Sequence, residues 1–113
     1  MKEIFINNIK CKIGNNAEEN WKILDEANDN HLFFHLKSFS SCYVILEIEE
    51  EIEDFFELNK IIEETALQCK LNTKYKNLKY IKVDYCPIFN VIKGEKVGEV
   101  YYKSNKKVKN IMV

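Results

Sequence analysis

Histidine is the residue type of this chain best suited to metal binding or acid–base catalysis. His31 and His35 lie four positions apart, a spacing that joins two metal ligands on a helix but separates them by about 13 Å on a strand. Both fall in the apolar run 31–36, which favours a strand, so we expect no shared metal ion. His31 is then expected at a sheet edge and His35 partly buried. No nucleophile lies at a spacing that pairs it with either histidine, and the sequence therefore indicates a protein that is not an enzyme.

The four cysteines are too dispersed to form a recognisable metal or redox motif. Cys11, Cys42, Cys69 and Cys86 are separated by 31, 27 and 17 residues, with no CxxC pair. Cys42 and Cys69 also occupy apolar-patterned positions, where a free cysteine acts as a small hydrophobic side chain. We expect reduced, structural thiols with no disulfide, and neither zinc nor another cofactor.

The positive charge of the chain comes from lysine alone, with 17 Lys and no Arg. Lysine contacts phosphate as a point charge, whereas bidentate recognition needs the arginine guanidinium. Residues 1–66 carry 6 lysines against 15 acidic residues, and residues 67–113 carry 11 against 3. The second part can therefore offer a basic surface to an anionic partner although the net charge is −1, unless the two parts neutralise each other in the fold. The candidate nucleic-acid-binding residues are Lys70, Lys74, Lys76, Lys79, Lys82, Lys93 and Lys96, with Tyr80 as the candidate base-stacking ring.

An acidic segment forms the opposite extreme of this charge distribution. Residues 47–57 contain seven acidic side chains in eleven positions. They form either a solvated loop and helix start or a docking surface for a basic partner. The second interpretation defines an alternative function, that of a protein-interaction adaptor that does not bind nucleic acid.

Hydrophobic periodicity predicts the elements that must position these side chains. Apolar residues recur at helical spacing over about 54–71, and a shorter helix is expected over 17–24. A hairpin is predicted between 98–102 and 107–113, around Ser104–Lys106. Other strands are indicated by apolar and β-branched runs at 2–7, 9–13, 31–36, 42–48 and 78–85. The prediction is one α+β domain, residues 1–113, with a mostly antiparallel sheet of about seven short strands and one long amphipathic helix.

Membrane and secretory signals are not found in the sequence. The longest uncharged apolar runs are a few residues, far short of the roughly 20 that span a bilayer. The first residues, Met1–Ile6, lack the apolar core and cleavage site of a signal peptide. We therefore expect a cytoplasmic protein with no membrane contact.

Three segments, in order along nearly the whole chain, resemble the NFACT RNA-binding (NFACT-R) domain family. The first is Ile13–Asn20, similar to the glycine–asparagine motif that opens the domain. The second joins Leu32–Leu36 to Ser40–Val44, and the third joins residues 66–73 to the run 83–100, similar to the family pattern V-D-Y-T-x-x-x-N-V-x-K. The family positions retained are Gly14, Asn20, Phe34, His35, Ser41, Asp84, Tyr85, Asn90 and Gly98.

The resemblance implies a free-standing, non-enzymatic module that binds RNA. In the family, this domain occurs alone and within ribosome-associated quality-control factors that bind tRNA and the large ribosomal subunit. RNA, either tRNA or the ribosome, is therefore the expected partner, with DNA as an alternative and the oligomeric state left open. Two family arginines are replaced by Asn15 and Glu47, and one histidine by Tyr43. These departures imply either weaker binding or a site built from the C-terminal lysines.

Overall fold

Six antiparallel strands form the main sheet of the chain, in a computed structural model that describes residues 1–113. Their order is β1-β2-β4-β3-β5-β8, and two further strands, β6 and β7, form a separate antiparallel ribbon. The strands are β1 (Lys2–Ile6), β2 (Ile9–Ile13), β3 (Leu32–Leu36), β4 (Val44–Leu46), β5 (Lys82–Pro87), β6 (Val91–Lys93), β7 (Val100–Tyr102) and β8 (Lys109–Met112). The structure confirms the predicted α+β class and its mostly antiparallel sheet.

The long helix α2 (Phe55–Leu71) covers one face of the sheet. Asp54 caps its N-terminus, because the carboxylate accepts hydrogen bonds from the backbone N–H groups of Phe56 (2.9 Å) and Glu57 (3.3 Å). From Ile61 onward, the apolar stripe that predicted the helix becomes its buried side, whereas Phe55 at its start is exposed. Ile61 and Ala66 of that stripe pack against β-strand residues in the larger core. The predicted helix over 54–71 is therefore confirmed.

The shorter helix α1 (Ala17–Glu26) covers the opposite face. It extends two residues beyond the predicted 17–24 and begins after Asn16, whose side chain accepts a hydrogen bond from the Glu19 N–H at 2.9 Å. Alternation along the strands sends successive side chains to the two helices. Phe34 faces α2, whereas its neighbour Phe33 packs with Ile23 of α1. The fold is thus a sheet with one core on each face.

The predicted C-terminal hairpin is wrong, because its two strands pair with different partners. β7 pairs with β6 in the ribbon, and β8 pairs with β5 at the edge of the main sheet. The side chain of Asn90 bonds the backbone of Ser104 twice, each at 2.9 Å, and a 3-10 turn follows at Asn105–Lys107. These bonds hold Ser104, which follows β7, beside Asn90, which follows β5. Strand β8 therefore starts next to β5 and pairs with it rather than with β7.

Strand β5 begins later than predicted. Residues 78–80, the first three of the predicted strand 78–85, are irregular, and the sheet pairing begins where Ile81 exchanges two backbone hydrogen bonds with Val113, at 2.8 and 2.9 Å. Pro87 is the last residue of the strand and pairs in register with Leu32. Proline is tolerated at this position because the sheet ladder ends there and needs no further N–H donor.

Candidate functional site

The loop between β3 and β4 lies at the centre of three adjoining surface hollows, which we call together the polar groove. Ser41 fixes this loop, because its hydroxyl oxygen accepts a hydrogen bond from the Leu36 N–H at 3.0 Å and donates one to the Cys42 carbonyl at 3.1 Å. The central hollow, of about 350 Å³, is lined by Asn15, Asn16, Ala17, Asn20, His35, Ser40, Ser41, Cys42, Val97 and Gly98. One side hollow adds Asn72, Thr73 and Lys74, and the other adds Lys37, Asp84 and Tyr102.

Gly14 and Asn20 shape the wall of the groove that α1 forms. The Asn20 side-chain oxygen accepts a hydrogen bond from the Tyr43 N–H at 3.1 Å, and the Gly14 N–H donates to the Tyr43 carbonyl at 3.1 Å. A β-carbon at Gly14 would lie 2.1 Å from that Asn20 oxygen, a distance that no real contact permits. Glycine is therefore required here so that a buried asparagine can tie α1 to the loop.

The β6–β7 ribbon provides the opposite wall through Gly98. This residue has φ 89°, in the left-handed region that favours glycine, and a β-carbon on it would lie 2.7 Å from that of Ala17. Its carbonyl accepts a hydrogen bond from the Tyr43 hydroxyl. Trp21 of α1 donates from its indole N–H to the carbonyl of Glu99 at 3.1 Å. The ribbon is thus held against α1 and the loop by backbone carbonyls.

His35 and Asp84 line the groove from neighbouring strands and are direct partners in the β3–β5 register. The His35 ring stacks on Phe33 and meets the edge of Tyr43, with centroids 6.2 and 5.5 Å apart. Burial lowers the pKa of His35, so its imidazole is neutral at neutral pH. Burial raises the pKa of Asp84, an effect that the charge of Lys37 partly offsets. Asp84 Oδ1 is buried and has no hydrogen-bond partner.

The lysines that follow α2 are open to solvent. Lys74, Lys76, Lys79 and Lys82 are all exposed, and Lys74 lines the groove itself. The backbone N–H of Lys37 donates to the Lys82 carbonyl at 3.0 Å, which places Lys37 beside this group. Lys37 was not among the residues singled out from the sequence, because only the pairing of β3 with β5 brings it there.

Two other residues predicted to contact nucleic acid, one in the last turn of α2 and one after it, differ sharply in exposure. Lys70 is buried, and its ammonium donates to the Val113 carbonyl at 3.2 Å, so the structure engages it internally and removes it from the basic surface. Tyr80 is 66% exposed, and the Lys79 ammonium lies 5.6 Å from its ring centre. Tyr80 is therefore an open aromatic surface flanked by positive charge.

The remaining two predicted lysines lie on the ribbon, apart from those that follow α2. Lys93 forms an ion pair with Asp25 at 2.5 Å and places its ammonium 4.9 Å from the Trp21 ring centre. Lys96 is exposed beside Val97, which lines the central hollow. The predicted single stripe is thus two groups of lysines, one after α2 and one on the ribbon.

Most of the positions on which the sequence resemblance rests have a structural role. Phe34 lies in the larger core, and Tyr85 stacks on it with ring centres 5.4 Å apart. Asn90 fixes the chain after β7, as described above. Gly14, Asn20, Ser41 and Gly98 shape the groove, and His35 and Asp84 line it. Six of the nine positions on which the resemblance rests therefore shape or line the groove.

The acidic segment lines a different concavity, next to His31. This histidine is buried rather than at a sheet edge. Glu49 lies 2.9 Å from its Nε2, and the Asn28 N–H donates to its Nδ1 at 3.1 Å. No group of three or more His, Cys, Asp or Glu side chains is placed to hold a metal ion. The concavity has a volume of about 520 Å³, and its acidic lining consists of Glu47, Glu49, Glu50, Glu51 and Glu57.

Fold and groove together define a small α+β domain with one polar, lysine-flanked surface. No family model matches the chain, and no curated protein matches it. A solved structure with the same fold is that of the C-terminal part of the fibronectin/fibrinogen-binding protein from Streptococcus suis, with a TM-score of 0.79 and 19% sequence identity. The match covers 98% of this chain and 43% of that chain, so this chain spans less than half of the matched one. At this identity the likeness shows the fold alone. No helix here has the length and apolarity needed to cross a membrane.

Proposed function

We propose that this chain is a non-enzymatic, cytoplasmic nucleic-acid-binding module of the NFACT-R type, with RNA from tRNA or the ribosome as its partner. The observation that carries the proposal is the polar groove with exposed lysines on both sides. Neutral amides and hydroxyls in its lining, such as those of Asn15, Asn16 and Ser40, can bond phosphate and sugar oxygens. Lys37 and Lys74 line its two side hollows and supply the positive charge that phosphates require.

Single-stranded or looped RNA fits this surface better than a regular duplex does. A protein without arginine has no planar donor pair for guanine edges, so affinity must come from point charges and stacking. Tyr80 supplies an open ring beside Lys79. Unpaired bases stack on such rings, with little dependence on sequence. DNA single strands remain the alternative ligand and are compared directly in the binding test.

A salt gradient on immobilised tRNA tests the proposal. We expect the wild-type protein to be retained and to elute with a steep dependence on salt, because binding releases counterions from the phosphates. Changing Lys37 and Lys74 to glutamate should lower the salt slope by about two and weaken binding to all sequences alike. The matched control changes Lys10 and Lys60, which lie in the acidic part of the chain, and should leave the slope unchanged.

The triple change of Lys79, Lys82 and Lys93 to glutamate removes charge from both lysine groups and should abolish retention. Circular dichroism and thermal melting must show that each variant is folded. Retention of this triple variant at the wild-type salt concentration would exclude these three lysines and confine the contact to the groove lining around Gly14, Asn20 and His35. Passage of the wild-type protein straight through the column would instead exclude nucleic acid as the partner.

The acidic concavity supports the second candidate, a protein-interaction adaptor. Its glutamates lie next to the start of α2, where Phe55 and Phe56 are 70% and 83% exposed. Exposed aromatic rings beside a patch of one charge are typical of protein-binding surfaces. An adaptor would pass through the tRNA column and bind a lysine-rich peptide. Changing Glu50 and Glu51 to lysine should abolish that peptide binding.

A further inference from the structure

Two cysteines that are 27 residues apart in the sequence face each other in the fold. Cys42 lies in the loop before β4, and Cys69 lies in the last turn of α2. The Cys42 sulfur is 3.7 Å from the Cys69 carbonyl oxygen, and the Cys69 sulfur is 3.9 Å from the Cys42 carbonyl oxygen. Each thiol thus reaches the backbone of the other residue, and the two side chains share one small space between loop and helix.

The two thiols differ in their access to solvent. Cys42 is half-buried and lines two hollows of the polar groove, whereas Cys69 is fully buried in the larger core. Cys11 is also fully buried, and burial raises its pKa to about 12. Cys86 lies on another strand, where burial raises its pKa to about 11. Among the four cysteines, Cys42 alone combines an open side with a partner thiol.

The contact also shifts the pKa values of the two thiols in opposite directions. Contact with the Cys69 side chain lowers the pKa of Cys42, although burial opposes this shift. The contact with Cys42, together with burial, raises the pKa of Cys69 well above its ordinary value. The thiolate is the nucleophilic form of cysteine, so Cys42 is the more reactive of the two at neutral pH.

We propose that Cys42 and Cys69 are a peroxide-sensitive thiol pair, in which Cys42 is oxidised first and Cys69 resolves it to a disulfide. This inference goes beyond the proposed function and holds whether or not the groove binds RNA. An accessible thiolate beside a buried second thiol is the arrangement of reversible redox sensors. Disulfides of this transient kind also occur in reducing compartments, where permanent ones are rare.

The reaction uses one hydrogen peroxide and two thiols. The Cys42 thiolate attacks one peroxide oxygen, the O–O bond breaks, and the departing hydroxide takes a proton to become water. This leaves Cys42 as a sulfenic acid. The Cys69 sulfur then attacks the Cys42 sulfur, the S–O bond breaks, and hydroxide leaves with the Cys69 proton as a second water. Peroxide is reduced to two waters while the two thiols become one disulfide.

Mass spectrometry of the whole chain after peroxide treatment tests the pair. The protein is treated with a small excess of hydrogen peroxide, alkylated and cleaved after lysine. Cleavage separates Cys42, on the fragment 38–60, from Cys69, on the fragment 61–70. We expect these two fragments to be cross-linked, two of the four thiols to be lost, and dithiothreitol to restore both. The protein should remain a monomer on a non-reducing gel.

Single serine variants distinguish this pairing from general oxidation. Cys69→Ser should let Cys42 accumulate as sulfenic acid, which dimedone traps, whereas Cys42→Ser should leave Cys69 unmodified. Cys86→Ser is the matched control and should form the same cross-link as the wild type. Cross-linking of Cys42 to Cys11 or to a second chain would overturn the proposal. So would Cys42 reacting no faster than Cys86 with iodoacetamide in the folded protein, since this measurement requires no disulfide to form.

Discussion

At the scale of single residues, the groove contains two titratable side chains whose pKa values are shifted in opposite directions by burial. Burial lowers the pKa of His35 and raises that of Asp84. The folded protein therefore disfavours the proton on His35 but favours the proton on Asp84. The two residues are direct register partners on β3 and β5 and therefore lie side by side in the groove.

The first prediction concerns the pH dependence that His35 causes. In the unfolded chain His35 takes up a proton near its ordinary pKa of 6.5, whereas the folded chain resists this. The free energy of unfolding should therefore be unaffected by His35 above a pH of about 6.5 and should fall as the pH drops below that value. His35→Gln removes this titration, so its stability relative to wild type should rise on acidification in urea unfolding at pH 7, 6 and 5. A constant difference over this range would contradict the argument.

Gly14 carries the second prediction, which is a packing effect. Gly14→Ala places a methyl group against the Asn20 oxygen and breaks the Asn20 to Tyr43 hydrogen bond. We expect a loss of about 1–3 kcal/mol in unfolding free energy, since a buried polar group is left unpaired. The matched control is Gly94→Ala. Its added methyl group meets only the flexible side chain of Glu99, which can move away. Equal effects of the two changes on the urea midpoint would refute the explanation.

At the scale of elements, local patterns predicted the helices well and the strand partners poorly. The helix over 54–71 was predictable because its apolar spacing, its Asp54 cap and its terminal charges are all local. Strand β8 pairs with β5, about 27 residues earlier, so no local hairpin signal could identify that partner. His31 was misplaced for the same reason, because its hydrogen-bond partner Glu49 lies on another segment. Residues that the sequence analysis singled out, such as Gly14 and Asn20, form the groove walls, whereas Lys37 enters the site only through long-range pairing.

The third prediction belongs to α2. Ile61 is 1% exposed on the side that faces the sheet, whereas Leu67 is 40% exposed on the same helix. Ile61→Ala should cost about 2–5 kcal/mol of unfolding free energy, since it leaves a cavity in the larger core. Leu67→Ala should change it by no more than about 0.5 kcal/mol. Chemical denaturation measures both, and a costly Leu67→Ala would indicate that this side of α2 is covered in solution.

At the scale of the whole molecule, α2 separates the acidic segment from the lysines that directly follow the helix. Its 17 residues span about 25 Å, in a molecule whose longest extent is 38 Å. The acidic segment precedes its first turn, and the exposed Lys74, Lys76 and Lys79 follow its last. Lysines meet the acidic part of the chain elsewhere, because Lys93 pairs with Asp25, and Lys107 and Lys109 line a hollow with Phe55 near the first turn of α2.

The fourth prediction follows from this separation of charge. Although the net charge is −1, the protein should be retained at low salt and pH 7 on both an anion exchanger and a cation exchanger. Changing the exposed Lys76 and Lys79 to glutamate should abolish cation-exchange retention and strengthen anion-exchange retention. Passage of the wild type through the cation exchanger would show that the basic surface is screened by the acidic one.

The β6–β7 ribbon gives the groove a wall that is less durable than its floor. A two-stranded ribbon is marginal by itself, and this one is held by a few bonds such as Trp21 to Glu99 and Tyr43 to Gly98. Native-state hydrogen exchange should therefore show the ribbon amides exchanging through local opening, while amides of β3 and β5 exchange only on global unfolding. Equal protection of both groups would show that ribbon and sheet form one cooperative unit. With unequal protection, the wall opens and recloses many times within the lifetime of the folded sheet.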